Sequence, residues 1–180
     1  MKIIRVLSVS ALLATAAVAS QAQVYVEGAY APLTFKVDDG DFTVKAKPAA
    51  LTGVVGYNIN LNLDVEGFLG LGVKKSSVTF QGESVPVKAE ISSSIGAFLK
   101  PKFKLNDEFE VFARVGYAYS KLKLTGGGAS ESASEGSFAY GLGGNYYLNK
   151  QTYLTASYMG LYNKDSVKID GFNVGVGFKF

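Results

Sequence analysis

The chain has 180 residues, 18 Lys plus Arg against 15 Asp plus Glu, 11 Tyr and 12 Phe, and no His, Cys or Trp. Absent Cys excludes a disulfide framework, a thiolate nucleophile and a Cys-held zinc or iron–sulfur centre. Absent His excludes a Ser–His–Asp triad and imidazole ligation, so no cofactor is expected.

The first segment combines Lys2 and Arg5 with an apolar run over 6–19 and small residues at Ser20 and Ala22. This pattern predicts a secretory signal peptide over 1–22, leaving a single domain over 23–180. The run is shorter than the ~20 residues that a spanning helix needs. Removing it takes away two basic residues, which lowers the net charge from +3 to +1. A nucleic-acid partner is therefore not expected. Export without Cys fits a bacterial envelope protein.

After residue 23 the chain alternates with period two, the mark of strands with two unlike faces. Eight strands are predicted, at 24–37, 43–58, 61–80, 85–105, 108–124, 137–148, 152–163 and 169–180. Short Asn- and Asp-rich turns at 58–60, 106–107 and 149–151 alternate with longer polar connections at 38–42, 81–84, 125–136 and 164–168. The result is an antiparallel up-and-down meander with both termini at its short-turn end. Pro48 and Pro101 fall inside predicted strands, where each removes a ladder donor. In the seventh strand, Tyr153, Met159 and Leu161 oppose Leu154, Tyr158 and Tyr162, which leaves its facing open.

Such a meander closes either as a soluble barrel with apolar residues inside or as a membrane barrel with apolar residues outside. The polar phase here is glycine-rich, as a narrow eight-stranded lumen requires. The apolar runs at 95–105 and 109–119 match the ~9 to 11 residues of a tilted membrane strand. Aromatic residues stand at both ends of these runs: Phe103, Phe109, Tyr146, Tyr153, Phe178 and Phe180 near the turns, with Tyr117, Tyr119, Phe138, Tyr140 and Phe172 towards the loops. They predict two interfacial girdles and a transmembrane β-barrel.

The terminal octet, 173–180, places Asn173, Gly175, Phe178 and Phe180 in the pattern polar-x-Gly-x-x-aromatic-x-aromatic. This resembles the C-terminal assembly signal of bacterial outer-membrane barrels. With the leader and the meander, the chain resembles the small eight-stranded group that includes the OmpX/Ail, opacity-protein and OmpA N-terminal barrels. The resemblance implies a Gram-negative outer-membrane location, recognition by the barrel-assembly machinery, and contact with outer-membrane lipids and lipopolysaccharide. It fixes architecture better than activity. The lipid A deacylases, palmitoyltransferases, phospholipases and proteases compared among outer-membrane barrels rely on a catalytic His, which is absent here, so no enzyme is expected. No peptidoglycan-binding domain is expected after Phe180.

Glu27, Asp64, Glu66, Glu90 and Glu110, with Lys88, Lys100, Arg114 and Lys179, fall on the inward phase. Mutual pairing into a polar plug is expected, since isolated buried charges are heavily penalised. A narrow gated ion pathway built on exchanged pairs is the alternative. Function is expected in the loops of a monomeric, adhesin-like or envelope-stabilising protein. The acidic first loop, with Asp38, Asp39 and Asp41, is suited to divalent cations on lipopolysaccharide or simply to solvation. The Gly/Ser-rich segment 125–136 reads as a flexible display loop for an extracellular ligand.

Overall fold

The computed structural model describes residues 23–38, 43–81, 83–126, 129–164 and 166–180. The expected signal peptide and residues 39–42 of the acidic loop lie outside them. The chain forms β1 (Val24–Asp38), β2 (Thr43–Ala46), β3 (Ala49–Asn60), β4 (Leu63–Lys74), β5 (Ser76–Phe80), β6 (Glu83–Lys104), β7 (Phe109–Gly126), β8 (Ala129–Tyr147), β9 (Thr152–Lys164) and β10 (Val167–Lys179). All paired neighbours run antiparallel, and β10 returns to β1 from Tyr25↔Lys179 to Val37↔Val167. β2 with β3 is one interrupted stave, and β4 with β5 is another, so ten strands make an eight-staved closed barrel. Closure leaves no membrane-level edge, the condition a sheet must meet to span lipid.

Prolines account for three of the irregularities. Pro48 sits in the break between β2 and β3, where its carbonyl accepts the Leu33 amide at 2.9 Å. Pro101 lies within β6 and pairs with Leu63, whereas the ladder to β7 passes from Leu99↔Val115 to Lys102↔Phe112. The missing donor therefore falls on one side only. Pro32 does the same in β1: its ladder to β10 passes from Tyr30↔Val174 to Leu33↔Gly171.

Burial is inverted relative to a soluble domain. Leu142 is 69% exposed and Ile95 62%, whereas Asp64 and Lys100 are each 1% exposed. The apolar phase thus faces outward as a continuous band, and the charged phase faces in. β9 settles as the alternation of Tyr153, Thr155, Ser157, Met159 and Leu161 inward. Tyr162 is buried as well, because the register slips between Ile169 and Asp170 opposite it. Tyr153 consequently does not join the turn-end girdle: it is fully buried in the lumen. Gly177 makes its place, since a Cβ there would stand 2.0 Å from the Tyr153 ring.

Strands extend further towards the loop end than the sequence pattern predicts. β7 runs to Gly126 and β8 starts at Ala129, so most of 125–136 is a strand hairpin and not a flexible loop. β5 and β6 are joined at residues 81–82, with Gln81 at φ 50°, and β9 and β10 at 165–166, with Ser166 at φ 64°. These left-handed residues supply the backbone a tight hairpin needs. Strand pairing continues because each polar segment can satisfy its main chain with its hairpin partner, which period-two hydropathy does not register.

Leu99 and Val115 pair midway between the girdles. A Leu99→Arg variant should lose about 2 to 4 kcal/mol of folding free energy in lipid vesicles by reversible denaturant titration. Lys123→Ala, above the apolar band, should leave the midpoint unchanged.

Candidate functional site: the lumen and the loop-end groove

The turn-end half of the lumen holds one connected ionic cluster. Strand alternation brings Glu27 from β1, Asp64 and Glu66 from β4, Lys100 and Lys102 from β6, and Arg114 from β7 to the barrel interior. Arg114 donates through Nε to Glu66 Oε2 and through Nη2 to Glu27 Oε2, each at 2.6 Å. This guanidinium fork crosses the barrel and ties two carboxylates that would otherwise repel. Lys100 Nζ lies 3.2 Å from Glu27 and 3.3 Å from Glu66, and Lys102 Nζ 2.6 Å from Asp64. Tyr25 donates to Glu66 at 2.6 Å, and Tyr153 donates to Glu27 at 2.9 Å. Phe112 lies beneath both cations, with Lys100 Nζ 4.4 Å and Arg114 Cζ 4.6 Å from its ring centre.

Tyr25, Lys102, Phe112 and Tyr153 are the members that residue-by-residue charge reading misses. Tyr25 and Lys102 share a phase with Glu27 and Lys100, so alternation carries that signal. Tyr153 required the facing of β9. Glu110 stands apart from the cluster, accepting from Asn145 Nδ2 at 2.9 Å. Lys179 occupies the turn-end mouth, where it donates to the Tyr147 hydroxyl and sits 4.3 Å from that ring centre.

Lys88 and Glu90 do not belong to the lumen. The β6–β7 register shifts between Ile91 and Ser93, which exchanges the two faces above that point. Ala89 and Ile91 are buried there, Lys88 is exposed, and Glu90 pairs with exposed Lys75 at 3.1 Å. One bulge thus turns two expected interior charges outward.

The loop-end half of the interior is mainly apolar, with buried Ser94, Ser120 and Ser137 and no buried charge among the described residues, contrary to a uniformly polar plug. Leu33, Phe35, Ala46, Ala89, Ile91, Ala118, Ala139, Met159, Leu161 and Ile169 pack together in it. Between the halves, Thr52, Thr155, Ser157 and Asn173 line a cavity of about 10 Å³, the space of a single water. A wide aqueous path does not fit this filling.

The residues of the terminal motif have separate structural places. Asn173 is buried and accepts from the Thr52 hydroxyl at 3.3 Å. A Cβ on Gly175 would lie 2.1 Å from the Gly28 carbonyl oxygen, so this glycine permits the close approach of β10 to β1. Phe178 and Phe180 face outward, edge to face at 5.3 Å.

A second site lies at the loop end. β2 and β5 pair only at Val44↔Phe80 and Lys45↔Thr79, and below this the two interrupted staves part. The opening is a groove of about 620 Å³ lined by Thr43, Lys45, Lys47, Ser76, Ser77 and Thr79. Lys47 N–H donates to Ser76 Oγ at 3.0 Å, and the Thr79 hydroxyl donates to the Lys45 carbonyl at 3.2 Å. Lys45 and Lys47 are exposed and form no ion pair among the described residues. The groove therefore presents net positive charge beside hydroxyl groups.

Removing one charge from the ionic cluster should be costly. Arg114→Met should destabilise the barrel by about 3 to 5 kcal/mol in denaturant titration, because Glu27 and Glu66 lose their shared partner. Adding Glu27→Gln and Glu66→Gln should restore much of that loss. In planar bilayers the parent protein should show small or no conductance; steady porin-like currents would contradict a filled lumen.

Comparison with known proteins agrees with this architecture. The attachment invasion locus protein of Yersinia enterocolitica is 33% identical over 81 residues, a match spanning 44% of each chain and thus less than half of that relative. Ail of Yersinia pestis, solved in complex with the heparin analogue sucrose octasulfate, superposes with a TM-score of 0.63 at 23% identity, covering 89% of this chain and 100% of that one. Neisserial surface protein A superposes with a TM-score of 0.69 at 18% identity, covering 87% of this chain and 97% of the other. Residues 5–180 match the outer membrane protein beta-barrel domain family. The chain belongs to that family, and its place is the Gram-negative outer membrane.

Proposed function

We propose that this protein is a non-enzymatic surface-interaction barrel whose loop end faces the cell exterior and binds a sulfated or otherwise polyanionic glycan. The Lys45–Lys47 groove carries this reading. Two exposed ammonium groups without acidic partners among the described residues stand beside Thr43 and Ser77, while the Ser76 and Thr79 hydroxyls already donate to main-chain carbonyls, so the two lysines carry the attraction for sulfate oxygens. The heparin analogue bound by the Yersinia pestis protein supports the ligand class. Strand pairing among the described residues continues to the loop end, so binding would rest on strand faces held in place before the ligand arrives.

The remaining contacts follow from the same orientation. The outward apolar band meets outer-membrane lipid, the loop-end lysines stand near lipopolysaccharide phosphates, and the β10 motif with Asn173, Gly175, Phe178 and Phe180 is the segment offered to the barrel-assembly machinery. The protein acts as a monomer, since its eight staves close on themselves.

Sucrose octasulfate should bind the protein in lipid nanodiscs with an affinity that falls as salt rises, as measured by calorimetry. A Lys45→Gln/Lys47→Gln double variant should weaken binding by about tenfold or more, the worth of one charged hydrogen bond. Unchanged affinity in that variant, or no binding by the parent, would rule the groove out as the glycan site.

A further inference from the structure

Apart from the Lys45–Lys47 groove, the wall of the barrel also opens along a seam between β8 and β9. β8 and β9 pair from Tyr147↔Tyr153 up to Tyr140↔Gly160 and then part. Above that point β8 continues to Ala129 paired with β7, and β9 continues to Lys164 paired with β10. The inward phase of β8 records the opening: Ala139 and Ser137 are buried, whereas Glu135 and Ala133, on the same phase, are exposed.

Behind the seam lies a pocket of about 170 Å³ walled by Phe35, Leu122, Ala133, Tyr162, Val167 and Ile169. Phe35, Tyr162 and Ile169 are between 4% and 8% exposed, so these walls are continuous with the apolar interior. The pocket stands beyond the girdle residues Phe138 and Tyr140, where the barrel emerges from the membrane. Its polar lining is limited to Ser120 and Glu135. The Ser120 hydroxyl is engaged with Ser94 at 2.9 Å, whereas Glu135 has no ion-pair partner among the described residues. Among the described residues, no lysine or arginine lines the pocket.

We infer that this seam is a binding site for a cationic amphiphile: an apolar tail enters between β8 and β9, and its ammonium head meets the Glu135 carboxylate. The volume falls below the roughly 300 to 1,000 Å³ of a site that encloses a whole drug-sized ligand. It is close to the ~150 Å³ apolar cavity that takes benzene, so it accommodates a tail and leaves the head at the rim. Charge selects the head, because among the described residues Glu135 is the one charged side chain in the lining and an anionic amphiphile would face it unpaired. The site is separate from the Lys45–Lys47 groove and does not depend on it.

Hexylammonium and hexanoate, two soluble probes with the same tail, test this with the full protein in nanodiscs carrying ¹³C-methyl isoleucine. The Ile169 methyl signal should shift saturably with hexylammonium, while Ile59, beside the turn-end connection, stays still. Hexanoate should bind more weakly by a factor of about two to five, the worth of one exposed ion pair. Glu135→Gln should bring the two probes together while keeping the Ile169 response. Ala133→Trp, at an exposed position, should fill the pocket and abolish that response, with heat-modifiable gel mobility confirming that the variant is folded. Parallel, unsaturable shifts at Ile59 and Ile169 would mean membrane partition only and overturn the site. Equal binding of both probes to the parent would overturn the cationic assignment. Concentration-dependent self-association lost in Ala133→Trp, without probe binding, would replace the amphiphile with a second copy of this chain.

Discussion

Everything in this molecule depends on the return of β10 to β1. Lipid offers no hydrogen-bond partners, so a sheet that crosses it must pair every strand on both sides. Eleven residue pairs between Tyr25↔Lys179 and Val37↔Val167 meet that demand at the point where the two ends of the chain come together. Gly175 allows the backbones to approach, and Pro32 takes a position where the same ladder is already interrupted. Once the ring is closed, the two phases of each strand become an outside and an inside, and the sign of burial follows from the solvent each one meets.

The inside is then filled by two different means. In the turn-end half, Arg114 binds Glu27 and Glu66 together while Lys100, Tyr25 and Tyr153 satisfy their remaining oxygens. Such a cluster is costly to desolvate, so its worth lies in specifying one register: a slip of one residue would place these charges in lipid. In the loop-end half the barrel rises beyond the membrane, and there an apolar interior behaves like the core of an ordinary β-sandwich. The change from ionic to apolar filling along one axis makes the protein a stopper for its own lumen.

Irregularities of the wall, more than the regular wall itself, generate the surface features. Breaks at Lys47–Pro48 and at Lys75 divide two staves and open the basic groove. Parting of β8 from β9 opens the apolar seam. Both openings occur where strands have left the membrane, since water can hydrogen-bond the freed backbone there and lipid cannot.

Period-two alternation, read with the glycine-rich polar phase, the length of the apolar runs and the aromatic girdles, determined the strands, the antiparallel barrel, the outward apolar band and most of the ionic cluster, because a strand has only two faces and a spanning barrel permits one assignment of them. Glu27, Asp64, Glu66, Lys100 and Arg114 were legible for that reason. Tertiary structure decided what alternation cannot encode. A bulge at Ile91–Ser93 sent Lys88 and Glu90 outward, and a register slip beside Ile169 left Tyr162 buried. The Gly/Ser-rich segment became strand because β7 supplied its hydrogen-bond partners, whatever its hydropathy. The grooves depend on pairing between distant strands, and no local pattern in the chain records where two strands cease to touch.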